Sequence, residues 1–228
     1  MDSGSDIAQA IASAARTINE AQSLDETLKT IAEVARDSIP GFDQVGISEV
    51  RRNGTVETKA AAGDLVHRLD ELQYSLSEGP CVDSLHDSDV VLAPHIRHDQ
   101  RWPRYVPRAV ELGLKSQIAV KLYLDSEGTI GGLNLYSTTS EELDPEAEPL
   151  ADVFAAHAAI ALGNAKSHET LNEALRTRKV IGQATGILME RYEMNEDRAF
   201  AFLVRASSHG NVMLRDIAQE MVDQKNQE

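Results

Sequence analysis

From Asp144 to about Arg191 the chain keeps one helical apolar rhythm, and the rest of the sequence has to be arranged around it. Asp144 is placed to cap this helix, and Pro145 stands at the first helical position, where a missing N–H costs nothing. Leu150, His157, Asn164 and Leu171 fall seven apart, as do Val153, Ile160 and Ser167, and again Phe154, Ala161, His168 and Leu175. Such a stripe suits a seam between two parallel helices, and the polar Asn164 and Ser167 would fix register at a cost in stability. Two readings stay open: dimerisation through this helix as a coiled coil, and a single helix packed on its own sheet. Strand signals lie before the helix, and only helical signals lie after it.

Ahead of the helix, Ile7, Ile11, Ala14 and Ile18 recur at helical intervals, and Leu28, Ile31 and Val34 do so again after a break at Ser23–Asp25. This predicts an N-terminal helix over residues 1–23 and a second one that Pro40-Gly41 ends. Residues 44–50 alternate, Asn53-Gly54 marks a hairpin turn, and residues 56–62 form the return strand. Asp64 is positioned to cap a helix carrying Leu65, Val66, Leu69 and Leu72, and Gly79-Pro80 opens another. Residues 90–96 read as a buried strand. A helix follows near Val106, and two further strands flank a turn at Asp125–Gly128. This order predicts a central antiparallel sheet with helices packed on it.

Beyond the long helix, Asn195 caps a second helix with Glu196 and Asp197 in its first turn, where the helix dipole favours negative charge. His209-Gly210 is its expected stop, and a third helix carries Leu214, Ile217, Ala218, Met221 and Val222. Residues 166–228 therefore read as an all-α three-helix bundle.

No apolar run approaches the length of a bilayer span, and the polar, acidic N-terminus reads as no secretory signal. The single cysteine, Cys81, cannot form an intrachain disulfide, so the expected compartment is the cytoplasm. A net charge of −15 argues against phosphate chains as partners, but the acidity is uneven. Of 22 Lys/Arg and 37 Asp/Glu in the chain, 8 and 9 lie from Leu171 onward, leaving that part at −1 and the preceding part at −14.

The residues Ile181-Gly182-Gln183-Ala184, Gly186-Ile187-Leu188-Met189, Ala199-Phe200, the Ser207–Asn211 turn and Leu214-Arg215-Asp216-Ile217-Ala218 resemble, in order and spacing, the ANTAR family of RNA-binding domains. The resemblance covers about Leu171 to Val222. It implies a three-helix fold that binds stem-loops in nascent RNA, usually as a dimer on paired hairpins, and prevents a terminator from forming. Position 185 is Thr, where many members carry Lys, so one phosphate contact is lost. The residue types agree with this reading. Ile181, Ala184 and Leu188 share one face, while Arg178, Lys179, Gly182, Gln183, Thr185 and Gly186 lie opposite or beside it. Helical glycines cost about 1 kcal/mol each relative to Ala, which is compensated where something approaches closely. That something is either RNA, with Gln183 reaching loop bases, or a neighbouring helix. Arg205, Ser208, Asn211 and Arg215 gather at the second corner and suit phosphate and base-edge contacts. Ser207 fits both contact and capping. A DNA-binding helix-turn-helix is the nearest competitor, but its recognition helix would carry Asp216, Glu220 and Asp223 beside Arg215. A partner-binding adaptor whose bundle docks a protein is the other alternative.

Glu78-Gly79-Pro80-Cys81, Arg101-Trp102-Pro103 and Gly131-Gly132-Leu133-Asn134-Leu135 resemble GAF domains over about residues 24–165. The resemblance implies a sensor and dimerisation module with a small-molecule pocket over the sheet. Cys81, Trp102 and Tyr105 are the candidate pocket residues. Core packing is the competing reading for each of them. Cys81 near a helix N-terminus is a position that lowers a thiol pKa, although a reductase cycle would need partner cysteines. The spacing of His86, His95, His98 and Asp99 fits no compact metal pattern. The expected chain is thus a non-enzymatic α/β GAF sensor over 24–165. A connecting helix over 145–180 joins it to an ANTAR bundle over 166–228. Its expected partners are RNA hairpins, a second copy of itself and an unidentified small molecule, with no membrane and no tightly bound cofactor.

Overall fold

The computed structural model describes residues 23–225, so the helix expected over residues 1–23 lies outside the described residues apart from Ser23. The chain divides into two compact units at Ala165–Lys166.

Helix α1 (Leu24–Ser38) begins where Ser23 Oγ accepts the Glu26 N–H at 3.2 Å, with Asp25 and Glu26 in its first turn. Leu28, Ile31, Ala32 and Ala35 form its buried face, and extended Ile39 ends it ahead of Pro40-Gly41. Strands β1 (Gln44–Val50) and β2 (Val56–Ala62) then form a hairpin. Its turn holds Gly54 at φ 81° and closes through Thr55 N–H to Asn53 Oδ1 at 3.1 Å. Helix α2 (Val66–Leu76) starts without a side-chain cap, so Asp64 does not play that role. The short helix α3 (Pro80–His86) follows, with Pro80 at its start. Strand β3 (Val90–Ala93), a 3-10 turn (Ile96–His98) and helix α4 (Tyr105–Glu111) lead into strands β4 (Ser116–Leu124) and β5 (Gly128–Ser137).

The five strands make one antiparallel sheet in the order β2-β1-β5-β4-β3. The order places β1, β5 and β4 at the centre, and β5 is buried over most of its length. β3 is an edge strand and alternates: Val91 and Ala93 are buried while Leu92 is exposed, where a fully buried strand was expected. One face packs on α1 and on the first part of helix α5 (Ala147–Tyr192), burying Leu28, Ile31, Ile47, Ile118, Leu133 and Phe154. The other face lies under α2, α3 and α4, which bury Val66, Leu69, Trp102, Tyr105 and Tyr136. Leu124 Cδ1 occupies the space that a Cβ at Gly163 would take, so the end of β4 packs against α5 there.

The α5 stripe separates into two kinds of residue. Leu150 and Phe154 are buried against the sheet of their own unit, so the packing reading holds there. Ile160, Leu171 and Leu175 stay exposed. Asp144 caps the turn before α5, accepting Glu146 N–H at 2.8 Å, and the helix itself starts three residues later than Asp144.

In the second unit, Asn195 Oδ1 accepts the Arg198 N–H at 3.0 Å and opens helix α6 (Glu196–Gly210). Gly210 is still helical, and the left-handed stop is Asn211 (φ 49°, ψ 38°), one residue past the expected break. Helix α7 (Leu214–Lys225) completes the bundle. Ala184, Leu188, Ala199, Leu203 and Ala218 form its buried centre, with Ile181, Leu214, Ile217 and Met221 around them.

Candidate nucleic-acid interface

Because Ala184 and Leu188 face the bundle centre, the opposite side of α5 is exposed, and it carries Arg178, Lys179, Gly182, Gln183 and Gly186. A Cβ added at Gly182 or Gly186 would meet nothing within 4 Å. Close packing against a neighbouring helix, one of the two readings open from sequence, therefore does not explain these glycines among the described residues. No ion pair engages Arg178 or Lys179 among the described residues, so their charges are available to a ligand.

Thr185 sits differently from its sequence assignment. It is buried, and its hydroxyl donates to the Ile181 carbonyl one turn back at 2.8 Å. A β-branched side chain between the two faces tucks inward and spends its donor on its own helix. Thr185 is thus not part of the exposed strip.

At the second corner, Ser207 Oγ donates to the Val212 carbonyl at 2.7 Å and Val212 N–H donates to the Ser207 carbonyl at 3.2 Å. Ser207 is committed to the cap. Arg205, Ser208 and Asn211 are exposed beside it. Arg215 is compensated: its Nη1 lies 2.5 Å from Glu173 Oε1 and its Nε 3.4 Å from Asp216 Oδ1. That pairing ties the start of α7 to α5 and takes Arg215 out of the set of unpaired cations. The structure thus brings Arg178, Lys179, Gln183 and Gly186 onto one face of α5 and groups Arg205, Ser208 and Asn211 at the α6 corner. It leaves Thr185 outside both groups.

In the first unit, Cys81, Trp102 and Tyr105 are all buried, as the core-packing reading expects. Burial and the nearby Asp70 push the Cys81 thiol up to about 12, against the lowering expected from a helix N-terminus. The helix is short, and desolvation outweighs its dipole. Trp102 Nε1 donates to Asp83 Oδ2 at 2.8 Å, with the Arg101 guanidinium 4.2 Å above its ring. The Tyr105 hydroxyl donates to Gln117 Oε1 at 2.8 Å, and Gln117 Nε2 reaches Gln73 Oε1 at 3.3 Å. Gln73 Oε1 also takes the Cys81 N–H at 2.9 Å, while Gln73 Nε2 donates to the Tyr136 hydroxyl at 2.8 Å. Tyr136 in turn donates to Asp70, which also accepts Thr58 Oγ1 at 2.6 Å and Asn134 Nδ2 at 3.0 Å. Burial raises the Asp70 carboxyl above its ordinary range despite these bonds. Among the described residues Asn134 Oδ1 has no hydrogen-bond partner.

Sequence reasoning missed this network. Its members, Asp70, Gln73, Gln117 and Asn134, are polar residues on otherwise apolar faces of α2, β4 and β5, and that misplacement was the available signal. A groove of about 440 Å3 lies on the other side of the sheet, lined by Val120, Lys121, Tyr123, Asp152 and Ala159. Among the described residues no three His, Cys, Asp or Glu side chains converge as a metal site, and no helix is long and apolar enough to cross a membrane.

An antiparallel sheet with helices on both faces is followed by a long helix and a small helical bundle, a two-module architecture. The GAF domain model matches residues 21–163 and the ANTAR domain model matches residues 169–222. The chain belongs to the GAF domain family and carries an ANTAR domain behind it. Its fold is similar to the GAF domain from an Acinetobacter phosphoenolpyruvate-protein phosphotransferase, at 14% identity over 72% of this chain and 97% of that one, with a TM-score of 0.59. It is also similar to the phycoerythrobilin-bound GAF domain of a cyanobacterial phytochrome, at 12% identity over 72% and 97%, TM-score 0.54. A bacteriophytochrome chromophore-binding domain from R. palustris matches at 13% identity and TM-score 0.54, and this chain spans 64% of its length. No curated protein matches the chain.

Proposed function

We propose that the chain is a non-enzymatic transcription antitermination regulator whose ANTAR module binds stem-loops in nascent mRNA, under the control of its GAF sensor. The observation that carries this reading is the α5 strip: Arg178 and Lys179 with no ion pair among the described residues, Gln183 beside them, and two helical glycines whose added Cβ would meet nothing within 4 Å. Cations suit phosphates, the amide suits the edges of unpaired bases, and glycines admit an RNA backbone to near contact. The exposed Leu171 and Leu175, one turn apart on α5, supply an apolar seam for a homodimer.

The sensor half takes a small molecule, and the buried polar network from Tyr105 to Asp70 is the part of it that could answer one by rearranging hydrogen bonds. The orphaned Asn134 oxygen supports that role, because buried acceptors are nearly always satisfied. The signal passes along the helix between residues 145 and 180, and the protein works where nascent RNA is found, in the cytoplasm. The single buried cysteine with its raised pKa supports a module without thiol catalysis.

The test is binding of the full chain to a panel of structured RNA hairpins at two salt concentrations, with Arg178→Ala and Arg215→Ala alongside. Salt-sensitive, loop-selective binding that Arg178→Ala weakens more than Arg215→Ala supports the reading, since Arg215 is already paired with Glu173. Absence of binding to every hairpin would leave the bundle as a protein-docking element. Preference for duplex DNA would assign it to the helix-turn-helix alternative.

A further inference from the structure

Beyond the corner residues Arg205, Ser208 and Asn211, the α6 helix exposes a wider side. Arg198, Phe202, Arg205 and His209 succeed one another at intervals of four, three and four, so they share one side of the helix, and all four are exposed. Phe202 is 42% exposed, and its ring stacks on that of Tyr192, 58% exposed, with centroids 6.5 Å apart and planes 28° from parallel. Arg198 and Arg205 make no ion pair among the described residues. Of the exposed apolar side chains on this bundle, these two rings are the pair that stack on each other, and they lie beside cations with no ion pair among the described residues.

The aromatic pair is aligned with the strip on α5. Gly182, Met189 and Tyr192 lie seven and three residues apart, on the side of the helix that also carries Arg178. Tyr192 stands ten residues beyond Gly182, about 15 Å along the axis at 1.5 Å per residue. A polymer held at the glycines and running along this side reaches the rings within a few nucleotides.

We propose that Tyr192 and Phe202 form a stacking platform for an unpaired RNA base, with Arg198 and Arg205 holding the flanking phosphates. This rests on the RNA-binding reading above and extends its contact surface to α6. The occupant follows from charge complementarity: exposed π faces flanked by free guanidinium groups match a base joined to phosphates, and a purely apolar partner would leave both arginines unused.

The test uses the full chain and the hairpin from the panel that binds it best. Tyr192→Ala and Phe202→Ala each lower affinity roughly tenfold, within the range supplied by base–aromatic stacking, and leave the salt dependence unchanged. Arg198→Ala and Arg205→Ala make the salt dependence shallower. Tyr192→Phe retains affinity, since a ring face remains. Hairpins carrying one abasic loop position locate the base: the abasic site that weakens the wild type costs the Tyr192→Ala/Phe202→Ala double variant nothing more. Equal losses for wild type and double variant at every abasic position would overturn the platform. So would alanine variants that bind RNA normally but change the oligomeric state, which would make the rings a contact between proteins. If the wild type binds no hairpin, the RNA reading itself has failed, and the platform falls with it.

Discussion

Gly182 and Gly186 give the sharpest way to separate stability from function in this chain. Both sit inside α5 with no left-handed backbone requirement, and an added Cβ has open space at each. A glycine in a helix interior costs about 1 kcal/mol relative to Ala, through backbone freedom in the unfolded chain. Gly182→Ala and Gly186→Ala should therefore each stabilise the second unit by about 1 kcal/mol, and the pair by about 2 kcal/mol, since an added Cβ at either position meets nothing within 4 Å. Hydrogen exchange at the Ala199 and Leu203 amides reads this locally, because both residues lie at the centre of the bundle. Their protection should rise about fivefold for one substitution and roughly thirtyfold for both. If the strip binds RNA as proposed, hairpin affinity should move in the opposite direction, by tenfold or more, because a methyl group would stand where the RNA backbone is proposed to come closest. A stabilised double variant with undiminished RNA affinity would refute the argument: the glycines would then serve neither packing nor binding. Destabilisation would refute it at an earlier step, by showing that the space is not open.

Other consequences can be measured directly. Native Asp70 keeps its proton to higher pH than the unfolded chain does, so unfolding releases a proton between the ordinary carboxylate range and the raised native value. Asp70 therefore lowers stability as pH rises through that window, and Asp70→Asn should flatten this part of the urea midpoint against pH. An unchanged profile would mean that Asp70 is ionised in the fold. Cys81, buried with its thiol pushed up to about 12, should react with a disulfide reagent at neutral pH only through opening of the first unit. Labelling at the rate of a free thiol in the absence of denaturant would contradict its burial. Asn195→Ala should cost about 1 kcal/mol by stripping the Arg198 N–H of its acceptor, and Asn195→Asp should restore it, as thermal melts of the helical signal would show.

Much of the fold was legible because apolar spacing and punctuation agreed locally. Ser23, Asn53-Gly54 and Asn195 each act where their side chains can satisfy a backbone donor, or where the backbone needs a tight turn. The errors have equally local causes. The edge position of β3 depends on strand order, and no residue within the strand reports it. Asp64 had the right chemistry for a cap, but α2 begins without one. Asn211 took the left-handed stop from Gly210 because an Asn also tolerates that conformation, and the helix could then keep one more residue. At the candidate site, the periodicity identified Arg178, Lys179, Gln183 and Gly186 correctly as a shared exposed face. Thr185 lay at the margin of that face, and a margin residue is settled by packing, which spacing alone does not encode. Cys81 illustrates two competing terms. The sequence showed the helix terminus that lowers a thiol pKa, whereas the burial that raises it comes from residues far along the chain, such as Ser48 and Tyr74.

If the chain binds RNA as proposed, its charge distribution limits how it does so. Among the described residues, Arg178, Lys179, Arg198 and Arg205 on the two exposed faces make no ion pair, while Arg215 is balanced by Glu173 and Asp216. Four phosphate contacts on unpaired RNA give a slope of log affinity against log salt of about −3 per protomer. That is shallow for a nucleic-acid binder, and the acidic remainder of the chain, at −14 before Leu171, can only oppose non-specific attraction. On the proposed reading, useful affinity would come from contacts that do not depend on salt: Gln183 to base edges, stacking on Tyr192 and Phe202, and a doubling of contacts if the chain dimerises. The consequence is strong discrimination between hairpin loops with weak attachment to generic RNA. Titration of the full chain with its best hairpin and with an unstructured RNA of equal length, over a range of salt, measures both quantities. A slope near −8 per protomer, or equal affinity for the two RNAs, would show that phosphate attraction dominates. The contact surface would then have to be sought on other cations than these four.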